Sequence, residues 1–253
     1  MTSQLVSFYS GYSLKIWGKV YLPGTYDSAK KYPAVAHCPG LRHGFKEYEF
    51  RVEPMLTALA EAGYIVLYFH CRGFGLSDGP RHRLIPWEQV EDIQSAISYL
   101  ETRDDVDPER IGLYGISFGG ATTPYVAALD ERVKCAVAAT GFGDGEKWLR
   151  SLRREWEWRE FLESLKQDRW QKVTSGKSKL VNPEGSVPDT ILLLDPDSLV
   201  AESELQRYDE ELESMKMPLE VARAIINFKP LDIVHRISPR AILYIAAEND
   251  RLC

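Results

Sequence analysis

The sequence predicts an α/β protein: a mostly parallel sheet, doubly wound with helices on both faces, and a helical segment inserted late in the chain. Three observations carry this. Short apolar runs rich in β-branched and aromatic residues, at 33–38, 64–69, 110–114 and 133–139, alternate with stretches of helical periodicity. From about residue 144 to residue 227, strand signals thin out and charges become dense. Between a strand pattern and a helix pattern stands Gly115-Ile116-Ser117-Phe118-Gly119. A chain of 253 residues, 44% hydrophobic and 27% charged, is long enough for one such domain with an insertion.

The chain opens on alternating runs at 5–9 and 14–22 split by Gly11, an antiparallel hairpin that ends at Pro23-Gly24. Residues 33–38 form a short strand that stops at Pro39-Gly40, and 52–62 an amphipathic helix closed by Gly63. The buried strand 64–69 runs into the glycine-rich turn His70-Cys71-Arg72-Gly73-Phe74-Gly75. Over 87–100, Val90, Ile93, Ile97 and Leu100 fall on one helical stripe. Strand 110–114 leads through Ser117 into a helix that reaches residue 129, and 133–139 is the next strand. Ligands of parallel sheets lie at the strands' carboxyl ends, so the loops after Cys38, Phe69, Tyr114 and Ala139 are expected to converge on one edge.

In the inserted segment the pattern gives helices over 146–172, 202–215 and 218–226, with a polar linker at 175–188. Such a segment is expected to stand over the strand ends as a lid, with Trp148, Trp156, Trp158 and Trp170 packed between its helices. Strand character returns at 241–246, followed by Glu248-Asn249-Asp250.

A net charge of −6 leaves no basic excess to neutralise phosphates, which argues against nucleic-acid and anionic-membrane partners. The densest basic run, 150–159, is interleaved with Glu155, Glu157 and tryptophans and reads as a solvated helix face. No apolar stretch reaches the ~18 to 20 residues of a membrane span, and the alternating amino terminus is unlike a secretory signal. Cys38, Cys71, Cys135 and Cys253 are dispersed, so neither a zinc site nor a disulfide framework is expected, and a reduced, cytoplasmic location follows.

The chemistry centres on Ser117. A G-x-S-x-G turn between strand and helix lifts the serine hydroxyl above the sheet edge and brings the free N–H groups of the helix mouth beside it. Such a serine becomes a nucleophile when a histidine takes its proton, a carboxylate orients that histidine and two N–H groups hold the oxyanion. Asp250, just after the last strand pattern, stands where such a carboxylate belongs, with Glu248 as competitor.

These features together resemble an α/β-hydrolase with a helical cap, of the sort related to X-Pro dipeptidyl peptidase and dienelactone hydrolase-type esterases. The residues that carry the likeness are the hairpin start, the loop His37-Cys38-Pro39-Gly40-Leu41, the turn from Phe69 to Gly79, the Ser117 elbow, and Lys229-Pro230-Leu231-Asp232-Ile233 leading to Asp250. The resemblance implies a core at 1–143, a helical cap at 144–228 and a second, incomplete part of the core at 229–253. It implies Ser117 as nucleophile, Asp250 as triad acid, and the backbone N–H groups of Leu41 and Phe118 as oxyanion hole. Arg72 is structural, no metal or organic cofactor is needed, and cap helices are able to pair in a homodimer. The triad histidine and the last strand and helix are expected beyond Cys253, the chain being part of a longer one. Of the five histidines present, His37, His43 and His70 lie nearest the predicted site, yet none occupies the matched position of a base.

The expected activity is cleavage of an ester, amide or related acyl bond in a small-molecule substrate through a Ser117 acyl-enzyme. The alternatives are a non-catalytic fold that binds a small molecule under its lid, and an acyltransferase or carbon–carbon bond hydrolase on the same scaffold.

Overall fold

The computed structural model describes residues 2–186, 190–194, 215–248 and 250. An antiparallel hairpin joins β1 (Ser3–Tyr9) to β2 (Lys15–Tyr21) in unbroken register, Ser3 opposite Tyr21 and Tyr9 opposite Lys15. There follow β3 (Tyr32–Cys38), α1 (Lys46–Glu61), β4 (Ile65–Phe69), α2 (Pro86–Glu101), β5 (Val106–Ile116), α3 (Phe118–Leu129) and β6 (Val133–Ala139). The inserted segment holds α4 (Gly145–Ser151), α5 (Glu155–Ser175) and four two-residue strands, β7 (Leu180–Val181), β8 (Glu184–Gly185), β9 (Leu192–Leu193) and β10 (Met217–Pro218). A helix α6 (Glu220–Ile226) and the strand β11 (Ala241–Ile245) complete the order.

One seven-stranded sheet runs β1-β2-β4-β3-β5-β6-β11, parallel from β4 to β11, with β2 antiparallel to β4 and β1 antiparallel to β2. Parallel strands covered on both faces read as continuous apolar runs, and all five residues of β4 are buried. The stripe predicted on α2 is the buried one: Val90, Ile93, Ile97 and Leu100 are at most 5% exposed. Each such side chain contributes roughly 1.5–3 kcal/mol of burial free energy.

Register sets up the site. Cys38 lies opposite Gly115, Ile116 opposite Ala139, and Ala139 opposite Ile245, so β3, β5, β6 and β11 end level with one another.

Three expectations need correction. The helix expected at 52–62 starts at Lys46 and carries Pro54 inside it; the carbonyl that loses its helical partner belongs to Phe50, which is exposed and open to water. The single run at 146–172 is two helices, because Arg153 turns inward. Its guanidinium is buried and donates to the carbonyls of Leu149, Thr190 and Ile191 while stacking on Phe161, so it closes the end of α4 and is no part of a solvated face. The stretch expected as a polar linker at 175–188 contains β7 and β8, which pair with β10 and β9. The helix expected over 202–215 lies outside the described residues, save Met215. Among the described residues no helix is long and apolar enough to cross a membrane.

Candidate functional site

Ser117 closes β5 and opens α3 with φ 57° and ψ −123°, a conformation that costs a non-glycine residue of order 1–3 kcal/mol and persists only where its surroundings impose it. The surroundings are identifiable. Ser117 N–H donates to Ala139 O on β6 at 3.0 Å, which ties the turn to the neighbouring strand. A Cβ on Gly119 would lie 2.0 Å from Cys38 O, and one on Gly115 2.2 Å from Gly119 O, so the turn closes only with glycine at both places. The strand, the turn and the helix are thus forced together, and the serine at the apex is exposed.

The loop after β3 is pinned at Gly40 from two sides. Gly40 N–H donates to Tyr48 Oη at 2.6 Å, which leaves the tyrosine proton to go to His37 Nε2, 3.1 Å away. Gly40 O accepts from His43 Nδ1 at 2.5 Å. His37 and His43 are wholly buried, and burial pushes both imidazoles down to about 3, so they are neutral. Neither the Leu41 nor the Phe118 N–H has a protein acceptor among the described residues.

A cavity of about 280 Å³ opens over Ser117. Leu41 and Arg42 reach it from the β3 loop, Tyr48, Arg51 and Val52 from α1, Thr140 from the end of β6, and Asp250 from beyond β11. The inserted segment supplies Trp148, Leu152, Glu184, Leu192 and Leu194. Asp250 therefore shares a cavity with Ser117, whereas Glu248 is exposed and does not line it.

None of the five histidines lines this cavity. His235 is in an exposed turn. His70 and His82 line a second cavity of about 570 Å³ on the hairpin side, with Tyr68, Lys19, Glu49 and Arg81. The loop after Phe69 was expected at the Ser117 edge and instead faces this second space: Ser77 Oγ donates to His70 O and accepts from Trp17 N–H, which draws the turn toward the hairpin. There His70 Nε2 meets Glu49 Oε1 at 3.1 Å, holding the Glu49 carboxyl below its usual range.

Several residues here escape a reading by pattern. Arg42 pairs with Glu184 across the cavity wall, the two side chains 8% and 13% exposed; they are 142 positions apart, so no local spacing links them. Tyr48 acts through its hydroxyl from a stretch with no strand or elbow signal. Of the four tryptophans, Trp148 lines the cavity and stacks on Phe142 at 4.2 Å, Trp158 is buried against Phe161, and Trp156 and Trp170 are half exposed.

Comparison with known proteins gives three kinds of finding. The X-Pro dipeptidyl-peptidase (S15 family) signature matches residues 11–183, more than half of the chain. An Escherichia coli protein described as an uncharacterized 31.7 kDa protein in the traX-finO intergenic region is 32% identical over 220 residues, covering 87% of this chain and 73% of its own. Thiohydrolase apmlB of Arthrinium phaeospermum is 28% identical over 241 residues, 90% of this chain and 74% of its own. Further relatives bear the names acyltransferase and polyketide transferase. Among solved structures, alpha/beta hydrolase GrgF from Penicillium sp. sh18 superposes with a TM-score of 0.80 at 22% identity, covering 100% of this chain and 82% of its own, which establishes the fold.

Proposed function

This chain belongs to the X-Pro dipeptidyl-peptidase (S15) family, hydrolase-type enzymes on an α/β-hydrolase scaffold, and on that premise we propose that it breaks an acyl bond through an acyl-enzyme on Ser117. The observation that carries the reading is the Ser117 hydroxyl held at a strained turn, at the mouth of α3, in a cavity shared with Leu41 and Asp250. Ser117 Oγ attacks the acyl carbon and loses its proton to a base. The carbonyl oxygen becomes an oxyanion facing the N–H groups of Leu41 and Phe118, the leaving group departs protonated, and water then cleaves the acyl ester. Asp250 orients the base. That base is none of the five histidines in the positions they occupy.

The described residues of the 144–228 segment act as a cap that supplies one wall of the acyl pocket. Leu41, Val52, Ile116, Trp148, Leu152, Leu192 and Leu194 favour an apolar acyl group. The thiohydrolase relative supports a sulfur leaving group that departs as a thiol, and the transferase relatives support an acceptor other than water on the same acyl-enzyme. The placement of the histidines supports a second reading, in which the cavity binds a small molecule without turning it over.

A fluorophosphonate probe separates the two. Covalent labelling located at Ser117 by mass spectrometry, together with p-nitrophenyl butyrate turnover that Ser117→Ala abolishes, is the expected result. Equal labelling of Ser117→Ala rules the nucleophile out, and an unlabelled chain that still binds apolar amides favours the binding reading.

A further inference from the structure

We propose that His43 is a positioning residue for this reaction, holding the Gly40–Leu41 peptide so that the Leu41 N–H is presented to the oxyanion. The proposal rests on the acyl-enzyme reading for its consequence and on geometry for its cause. In a trans peptide the C=O and the following N–H point in opposite directions. Gly40 O and Leu41 N–H belong to one such unit, and Gly40 O is held by His43 Nδ1 at 2.5 Å. Fixing the carbonyl toward His43 therefore fixes the Leu41 N–H away from it, and Leu41 is the residue that lines the cavity.

Such a device matters because glycine by itself restricts its backbone little, and a Cβ at Gly40 would lie 2.9 Å from the Tyr48 ring, so any larger residue would displace the tyrosine that helps to hold this peptide. Tyr48 Oη holds the peptide before Gly40, at its N–H, and His43 holds the one after it. His43 is itself packed in place, fully buried with its ring 4.1 Å from that of Phe74 and 6.5 Å from that of His70.

A lysine or arginine would bring an unpaired charge into this wholly buried place, and a hydroxyl would not span the distance. Neutral imidazole supplies a single rigid donor. Burial, opposed by the bond to Gly40 and aided by neighbouring His70, His37 and His82, keeps it neutral. Its Nε2 has no hydrogen-bond partner among the described residues, as expected of a ring whose one proton sits on Nδ1.

Two measurements on the full chain decide the matter. In 15N-histidine NMR, the His43 resonance should show the Nδ1–H tautomer and no titration between about pH 5 and pH 9. In p-nitrophenyl butyrate kinetics, His43→Leu should lower kcat roughly 10- to 100-fold with KM changed less than about twofold, since a misplaced oxyanion donor is felt in the transition state. His43→Asn places an amide N–H where Nδ1 stood and should restore most of that loss.

Equal losses in the two variants, or a loss confined to KM, overturn the proposal. Should the wild-type chain show no Ser117-dependent turnover, the acyl-enzyme reading fails by itself and the NMR result still decides how the peptide is held. An Nε2–H tautomer, or a titration near the ordinary histidine value, overturns it.

Discussion

The two halves of the candidate site stand on different ground. Ser117 and Leu41 come from the ends of β5 and β3, at the centre of the sheet, where Ala36, Cys38 and Ile111 are completely buried and Leu113 and Phe118 nearly so. Asp250 comes from beyond β11, whose Leu243, Tyr244 and Ile245 are roughly half exposed and which pairs, among the described residues, with β6 alone. The difference teaches where strain can be held. A left-handed serine needs neighbours on every side to impose it, and the centre of the sheet supplies them. A carboxylate that orients a base needs only to reach it.

If that contrast is right, the effects of substitution should fall from centre to edge. The largest is expected at Arg42, whose guanidinium ties the β3 loop to Glu184 of the inserted segment. Arg42→Met removes one partner of a largely buried ion pair and should destabilise the fold by about 3 to 5 kcal/mol, whereas Arg42→Met with Glu184→Leu, which removes both charges, should recover most of the loss. Chemical denaturation of the two variants checks this, and a double variant no better than the single one would mean the pair is not what joins the two walls.

Next comes Gly119→Ala. Its Cβ would fall 2.0 Å from a backbone carbonyl, Cys38 O, which cannot swing aside as a side-chain tip could. A cost of about 1–3 kcal/mol is expected, with the thermal midpoint lowered by several degrees. Fluorophosphonate labelling of Ser117 should fall further than stability alone accounts for, because any relief moves the β3 loop that carries Leu41.

The same contrast explains what could be read in advance. The central strands, the α2 stripe and the elbow were legible because burial on both faces writes a continuous apolar run, and a tight turn writes glycines into fixed places. α3 and β6 fall where the pattern placed them. The inserted segment was less legible because its order depends on side chains that pattern does not price: a charged Arg153 capping carbonyls from two segments breaks a helix that periodicity runs through. Tyr48 and Glu184 were invisible, and the contact His43 makes was unreadable, for a related reason. Each acts on a partner fixed by tertiary geometry, whereas Ser117, its neighbour Phe118, Leu41 after the β3 pattern and the acid after the last strand carry their setting in the local sequence.

A smaller effect belongs to Glu49, on the outer side of α1. Its carboxyl is held below the ordinary value by the hydrogen bond from His70, with burial opposing and Lys19 assisting. A folded-state value below the unfolded one means that the stabilisation is present above the unfolded carboxylate range, near 4.3, and is lost as pH falls through the lower folded value. The side chain is 31% exposed, so the contribution should be under about 1 kcal/mol. Urea midpoints of the wild type and Glu49→Gln should differ at pH 7 and converge in acid as Glu49 protonates; a difference that grows in acid would reverse the sign.

The smallest effect is the one that most directly tests the edge. Leu243 pairs with Val137 of β6 and is 55% exposed, so Leu243→Thr, which keeps a strand-favouring residue, should change stability by less than about 0.5 kcal/mol. Leu113, one strand further in on β5 and 2% exposed, should lose about 2–5 kcal/mol on truncation to alanine. Exposed apolar edge strands are unusual because unpaired backbone groups invite pairing, so the comparison is a sharp one. If Leu243→Thr proves as damaging as Leu113→Ala, β11 is covered in solution as fully as β5, and Asp250 rests on as firm a base as Ser117.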